Sequence, residues 1–200
     1  MNNPPALPLI IPLESITRRL CLADIFPVAQ PLEVELGSGD GNFLVEYARR
    51  HPDRNFIGVE RLLGRLRKLD RKGHRLGLVN LRGVRLEAGY FVRYLLPAGS
   101  VAVFHLYFPD PWPKKKHHHH RLVNLEFTQA VQQALEPGGR LYLRTDSADY
   151  HAWIKAVFAQ NPDFAEIETP RDLQALHTDF EREFNQRGMP TLHAAWRRGG

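Results

Sequence analysis

Between residues 32 and 48 the chain switches from one period to another across a run of glycines. Leu32-Glu33-Val34-Glu35-Leu36 reads as a β-strand, and Gly37-Ser38-Gly39-Asp40-Gly41-Asn42 reads as a turn. Phe43, Leu44, Tyr47 and Ala48 then recur at helical spacing, with Pro52 just past the helix end. The form repeats. Asn55 to Glu60 predicts a second strand, followed by a helix over Arg61 to Arg75 with Leu62, Leu63, Leu66 and Leu69 on one side. Val84 to Glu87 reads as a third strand and Ser100 to Phe108 as a fourth. Val123, Phe127, Ala130, Val131 and Ala134 mark an amphipathic helix stopped by Pro137-Gly138-Gly139. Leu141 to Thr145 reads as a fifth strand, and Tyr150, Ile154, Val157 and Phe158 line another helix. Strands alternating with helices predict an α/β fold, with a mostly parallel sheet and helices on both faces. In such sheets ligands bind beyond the carboxyl ends of the strands, where the strand order reverses. Glu35, Glu60, Glu87, Asp110 and Asp146 lie at or near five of those ends.

Two hundred residues suit one domain with a core of its own. Residues 1–30 are rich in proline and poorly periodic. They read as an extension, with residues 31–200 forming the domain. The apolar patch from Leu7 to Leu13 is broken by prolines at 8 and 12, with no basic residue before it, so neither a signal peptide nor a membrane span is expected there. No other window approaches the roughly 20 apolar residues that a bilayer requires. The single cysteine, Cys21, excludes an internal disulfide framework and a cysteine-based zinc cluster, which favours a reducing compartment such as the cytoplasm. Lysine and arginine (27) outnumber aspartate and glutamate (22), giving a formal charge of +5 that suits an anionic partner.

The glycine turn is spaced Gly37-x-Gly39-x-Gly41. A dinucleotide fingerprint needs its third glycine at position 42, which is Asn here. Glu35 beside the turn would repel a pyrophosphate but attract an ammonium group, and Glu60, 23 positions after Gly37, suits ribose hydroxyls. The glycines alone fit a tight turn equally well. Together Glu35, Gly37, Gly39, Gly41 and Glu60 favour S-adenosylmethionine over a nicotinamide cofactor.

The fourth strand ends abruptly in Phe108-Pro109-Asp110-Pro111-Trp112-Pro113, followed by Lys114, Lys115, Lys116, four histidines and Arg121. Prolines remove ladder donors and stiffen the chain, so one carboxylate is held at a strand tip beside an indole and a cationic run. That combination suits an anionic polymer carrying a flat ring. The competing reading is a solvated surface loop. The cations of Arg61 to Arg75 are likewise either an RNA footprint or a solvated helix face. The His117 to His120 run lacks the carboxylates and spacing of a dedicated metal site, and no metal is expected.

Together these motifs resemble the bacterial tRNA (guanine-N7)-methyltransferase family, which methylates a guanosine of the tRNA variable loop, usually position 46. The resemblance runs from about Leu32 to Trp196 and rests on Glu35 to Gly41, Phe56 to Glu60, Phe108 to Lys114, Leu143 to Asp146 and Thr178 to Glu181. It implies a Rossmann-like class I S-adenosylmethionine-dependent methyltransferase acting on tRNA, with no obligate protein partner. It implies cofactor contacts from Glu35, Gly37, Gly39, Gly41, Glu60, Glu87, Ala88 and Asp110, with Asp110 also catalytic. Substrate contacts are implied for Lys114, Asp146, Thr178, Asp179, Phe180 and Glu181. The chain departs from the family at Glu87, where a shorter acid or amide is commoner, and at His119 and His120, where basic residues are frequent.

Read from the residues alone, Lys114 to Lys116 and Arg121 are expected to hold phosphates. Asp146 either orients the base or Lys114 or caps the helix that begins near Ser147, and Thr178 with Glu181 fits a helix start. Two rival readings remain: a methyltransferase acting on another RNA or a protein, and a non-catalytic RNA-binding protein on the same fold. The acids at 35, 60 and 110 weigh against the second.

Overall fold

The computed structural model describes residues 8–200, apart from the side chains of Asp179, Phe180 and Phe184. Seven strands form one sheet: β1 (Leu32–Leu36), β2 (Asn55–Val59), β3 (Leu81–Val84), β4 (Val101–Tyr107), β5 (Leu135–Thr145), β6 (Phe164–Ile167) and β7 (Leu192–Arg198). Their order is β3-β2-β1-β4-β5-β7-β6. The first five run parallel, while β7 lies antiparallel between β5 and β6. The order reverses between β1 and β4, which makes the carboxyl ends of those two strands the switch point.

The helices are α1 (Leu22–Ile25), α2 (Asn42–Arg50), α3 (Leu63–Arg75), α4 (Ala88–Tyr90), α5 (Leu125–Ala134), α6 (Ala148–Phe158), α7 (Arg171–Ala175) and α8 (Asp179–Gln186). A π-helical turn, Phe91–Leu95, continues α4. One sheet face is apolar. Val34, Leu36, Ile57, Phe104, Leu106, Leu141 and Leu143 pack there with Phe91, Phe127, Tyr150 and Ile154 from the covering helices. The opposite face, under α2, α3 and α7, packs Phe43, Leu44, Leu69 and Leu173 beside Tyr107 and Tyr142. It also buries Glu33, Glu35, His105 and Arg144. An alternating Leu-Glu-Val-Glu-Leu strand ordinarily turns its acids to water. Here both faces are covered, so all five residues of β1 are buried.

Four strands differ from the sequence reading. The third strand is Leu81–Val84, ending three residues before Glu87, because Glu87 is spent as a helix cap. The fifth strand starts at Leu135, ahead of Pro137-Gly138-Gly139, and its register on β4 shifts between Val101 and Val103 to absorb them. Strands β6 and β7 carry no clear period in the sequence, being short or polar on one side.

Residues 9–11 of the N-terminal extension lie along the outer edge of β3. Leu9 is buried where Gly73 leaves room, since a Cβ on Gly73 would fall 2.5 Å from Leu9 Cδ1. Gly83 N–H donates to the Leu9 carbonyl (2.7 Å), and Ile11 N–H to the Gly83 carbonyl (2.9 Å). That pairing covers an otherwise open sheet edge.

Candidate active site

The glycine turn leaves β1 with Gly37, Gly39 and Gly41 all at positive φ (83°, 53° and 74°). Gly41 caps α2 and sits against Leu69, where a Cβ would come within 2.6 Å, so its role is packing. A Cβ at Gly37 or Gly39 would meet nothing within 4 Å, leaving space over the backbone for a ligand. Glu60 ties the turn to the start of α3: its carboxylate accepts from Gly39 N–H (3.1 Å) and Leu62 N–H (2.7 Å).

Glu35 is only 4% exposed, and its Oε2 has no hydrogen-bond partner among the described residues. Burial pushes its carboxyl well above the usual range. The charge of Arg144 opposes the shift and that of Glu60 reinforces it. Ser38 Oγ is also buried without a partner among the described residues. A carboxylate and a hydroxyl left unsatisfied beside an open glycine turn form a receptor for a donor, and for a cation above all. Glu87 stands differently. It is exposed and caps α4, accepting from Gly89 N–H (2.9 Å) and Tyr90 N–H (2.6 Å), with Ala88 as the first helical residue.

Past β4 the chain enters a rigid loop. Phe108 and Trp112 hold φ of 52° and 44°, left-handed values that cost a non-glycine residue about 1 to 3 kcal/mol each. Between them Asp110 is exposed. Both ends of the loop are tied down. Phe108 N–H donates to the Arg144 carbonyl of β5 (2.8 Å), and Arg121 Nε to the Pro111 carbonyl (2.9 Å). Arg121 also pairs with Asp149 and stacks over Tyr150 (4.9 Å) and Trp153 (5.1 Å). It is 3% exposed, so the expectation that it holds phosphate fails: it is the pin of the loop, and its aromatic stack shields it. Lys114, Lys115 and Lys116 remain exposed. A 3₁₀ turn, Lys115–His120, packs His120 on Trp112 (4.8 Å) and His118 on Trp153 (5.7 Å).

At the end of β5 Asp146 is exposed, and capping of α6 falls to Ser147, whose hydroxyl accepts from Tyr150 N–H (3.2 Å). Thr178 and Glu181 form a reciprocal cap at the start of α8. Glu181 N–H donates to Thr178 Oγ1 (3.1 Å), and Thr178 N–H to Glu181 Oε2 (2.8 Å). Asp179 and Phe180 occupy the first two positions of α8, but their side chains lie outside the described residues.

The residue that joins these parts is one the spacing does not single out. Arg144, 1% exposed, pairs with Glu181 (2.5 Å) and donates to the Leu176 carbonyl (2.8 Å) and to the Leu173 carbonyl. Its guanidinium lies over the Tyr107 ring (4.3 Å). It thereby fastens α7 and the start of α8 to the sheet beside Glu35. Its signal in the sequence is an arginine directly after the apolar run Leu141-Tyr142-Leu143.

A family model described as "Putative methyltransferase" matches residues 29–194. The tRNA (guanine-N(7)-)-methyltransferase of Alkalilimnicola ehrlichii is 34% identical over 179 residues, covering 84% of this chain and 76% of that protein. The enzyme of the same name from Nitrosococcus oceani is 34% identical over 181 residues, covering 90% and 75%. Among solved structures, the 16S rRNA methyltransferase KamB superposes with a TM-score of 0.63 at 15% identity, over 90% of this chain and 93% of that one, a likeness of fold. With the glycine turn, the strand-end acids and the Phe108 to Lys114 loop in place, the chain belongs to the tRNA (guanine-N(7)-)-methyltransferase family.

Proposed function

We propose that this protein transfers the methyl group of S-adenosylmethionine to N7 of a guanosine in tRNA, at position 46 of the variable loop. The observation that carries the reading is the pairing of two acids across the switch point. Buried Glu35 at the end of β1 has an oxygen without a partner among the described residues, and exposed Asp110 beyond the end of β4 is held between two left-handed residues. The tRNA of the reading comes from the names of the relatives.

The residues present fit the cofactor. Glu35 and Ser38 offer unsatisfied acceptors to its ammonium group, and Gly37 and Gly39 leave its approach open. Glu60, which already fixes the turn, would take the ribose hydroxyls, and Ala88 with the Glu87 cap would border the adenine. When bound, the cofactor supplies an electrophilic methyl group on a sulfonium.

Guanine N7 attacks with an in-plane lone pair and releases no proton, so the chain needs orientation and charge stabilisation more than a strong base. Asp110 supplies both. Its carboxylate accepts from guanine N1–H and the exocyclic amine, and it opposes the positive charge growing on the purine. A rigid loop holds that carboxylate in place before substrate arrives, which removes its reorganisation from the barrier. Lys114 to Lys116 bind phosphate and set the register of the RNA. Asp146 and the Thr178 to Glu181 turn border the guanosine from the β5 side.

The test is methyl transfer from labelled cofactor to unmodified tRNA transcripts, with the product mapped by cleavage at N7-methylguanosine, for wild type and Asp110→Asn. Label at position 46, reduced by about 100-fold or more in the variant, supports the reading. Label at another tRNA guanosine would retire the position, and label only in other RNAs would retire tRNA as the substrate.

A further inference from the structure

Helix α3 carries positive charge that its own fold does not use. Arg65, Arg67, Arg71 and Arg75 are exposed, and no acid stands in the first turn to match the helix dipole. Arg67 and Arg71, Lys68 and Lys72, and Arg71 and Arg75 are like charges four positions apart, an arrangement that weakens a helix. The helix's acid, Asp70, lies 3.3 Å from His74. Helix α2 handles the same residue type in the opposite way. There Glu46 binds both Arg49 (2.8 Å) and Arg50 (2.6 Å).

Part of the α3 charge serves the glycine turn. Lys68 pairs with Asp40 (2.8 Å), and Lys72 donates to the Asp40 carbonyl (2.9 Å). For Arg71 and Arg75 no carboxylate lies within ion-pair distance among the described residues. With Lys68 and Lys72 they stand together on one open face of α3. Helix α3 starts just after Glu60 at the ligand end of the sheet and extends about 20 Å away from it. A solvated face would alternate its charges. A row of one sign, maintained against helix stability, fits a repeating anion.

We propose that α3 is a second RNA-docking surface, in which Arg71 and Arg75 take backbone phosphates of a tRNA segment remote from the guanosine at Asp110. This inference rests on the tRNA reading above. Such phosphate contacts position the RNA without reading its sequence, and they weaken as salt rises.

The experiment compares full-length wild type with Arg71→Gln/Arg75→Gln and with Arg71→Lys/Arg75→Lys. Binding to a tRNA transcript is measured across a salt series, with binding to anionic phospholipid vesicles measured beside it. The kcat/KM for the whole transcript is compared with that for a short stem-loop bearing the acceptor guanosine. Thermal melting and S-adenosylhomocysteine binding confirm that each variant is folded. In the glutamine variant tRNA affinity falls by about ten-fold, and the slope of log K against log salt shrinks by about 0.7 to 0.9 for each phosphate no longer bound. KM for the whole transcript rises while kcat holds, so the preference for it over the stem-loop falls. The lysine variant restores most of each effect.

Wild-type salt slope and transcript preference in the glutamine variant overturn the proposal, as does reduced binding to the vesicles with tRNA binding intact. If wild type methylates no tRNA, the functional reading fails by itself. The salt series then decides whether α3 docks RNA.

Discussion

Glu33 and Glu35 leave β1 on the same side, one pleat apart, and meet opposite surroundings. Glu33 is fully buried yet satisfied, with His105 Nε2 at 2.7 Å and Arg54 at 2.5 Å. His105 in turn bonds the Tyr107 hydroxyl through Nδ1 (2.8 Å). Burial alone would raise the Glu33 carboxyl, but the bonds and charges of His105 and Arg54 outweigh it and hold the carboxyl below its usual value. Glu35 sits at the mouth of the same face with an oxygen that nothing among the described residues satisfies, and burial lifts it. A buried charge whose partners are all present belongs to the architecture. One whose partner is missing marks a place for something that arrives later.

The comparison can be broken in four places, taken from the largest effect downward. Arg144→Met leaves Glu181 buried and unpaired and costs about 3 to 5 kcal/mol in urea unfolding. Adding Glu181→Leu to that variant recovers most of the stability if the pair is architectural.

Glu33→Gln costs about 2 kcal/mol near neutral pH, because a charge-assisted, hydrogen-bonded group is removed. Because the folded Glu33 carboxyl lies below its reference of 4.5, its stabilisation is present above that pH and is lost as pH falls through the folded value. Unfolding of the variant as a function of pH should lack that acid limb.

Glu35→Gln runs the other way and gains about 1 kcal/mol at pH 7. With the folded carboxyl above 4.5, wild-type stability declines as pH rises from there toward the folded value, and the substitution removes the decline. The same variant should bind S-adenosylhomocysteine about 10 to 100 times more weakly by calorimetry, since an amide replaces the charged acceptor for the ammonium group. A variant that is destabilised and binds normally would place Glu35 with Glu33. The smallest effect belongs to Glu46→Gln on the surface of α2, under about 1 kcal/mol in the same unfolding assay.

Most of the parallel half of the sheet is legible in the sequence because its strands are rich in apolar residues and end at glycine, proline or acids, as at Leu36-Gly37 and Phe108-Pro109, whereas β3 lies earlier than its sequence suggests. The strand-end acids follow from that alternation. Strand β7 is not legible: Leu192–Arg198 ends in two arginines, and it is buried by docking between β5 and β6, a non-local event. Glu33 reads as an ordinary strand residue, since its partners Arg54 and His105 come from other elements. Arg121 misleads for the same reason: local order shows a cationic run, while the aromatic stack that buries it comes from α6.

The placement of β7 has a consequence for how the molecule assembles. Strand β6 reaches the rest of the sheet only through β7, which lies later in the chain. The sheet can therefore grow outward from β1 during synthesis, but its far side waits until residues 192–198 exist. Trp196 then stacks on Phe158 at 4.1 Å, nearly parallel at 13°. That indole is placed to report, by its fluorescence, the moment the last strand slots in, a non-local step like the β1 to β4 pairing that precedes it.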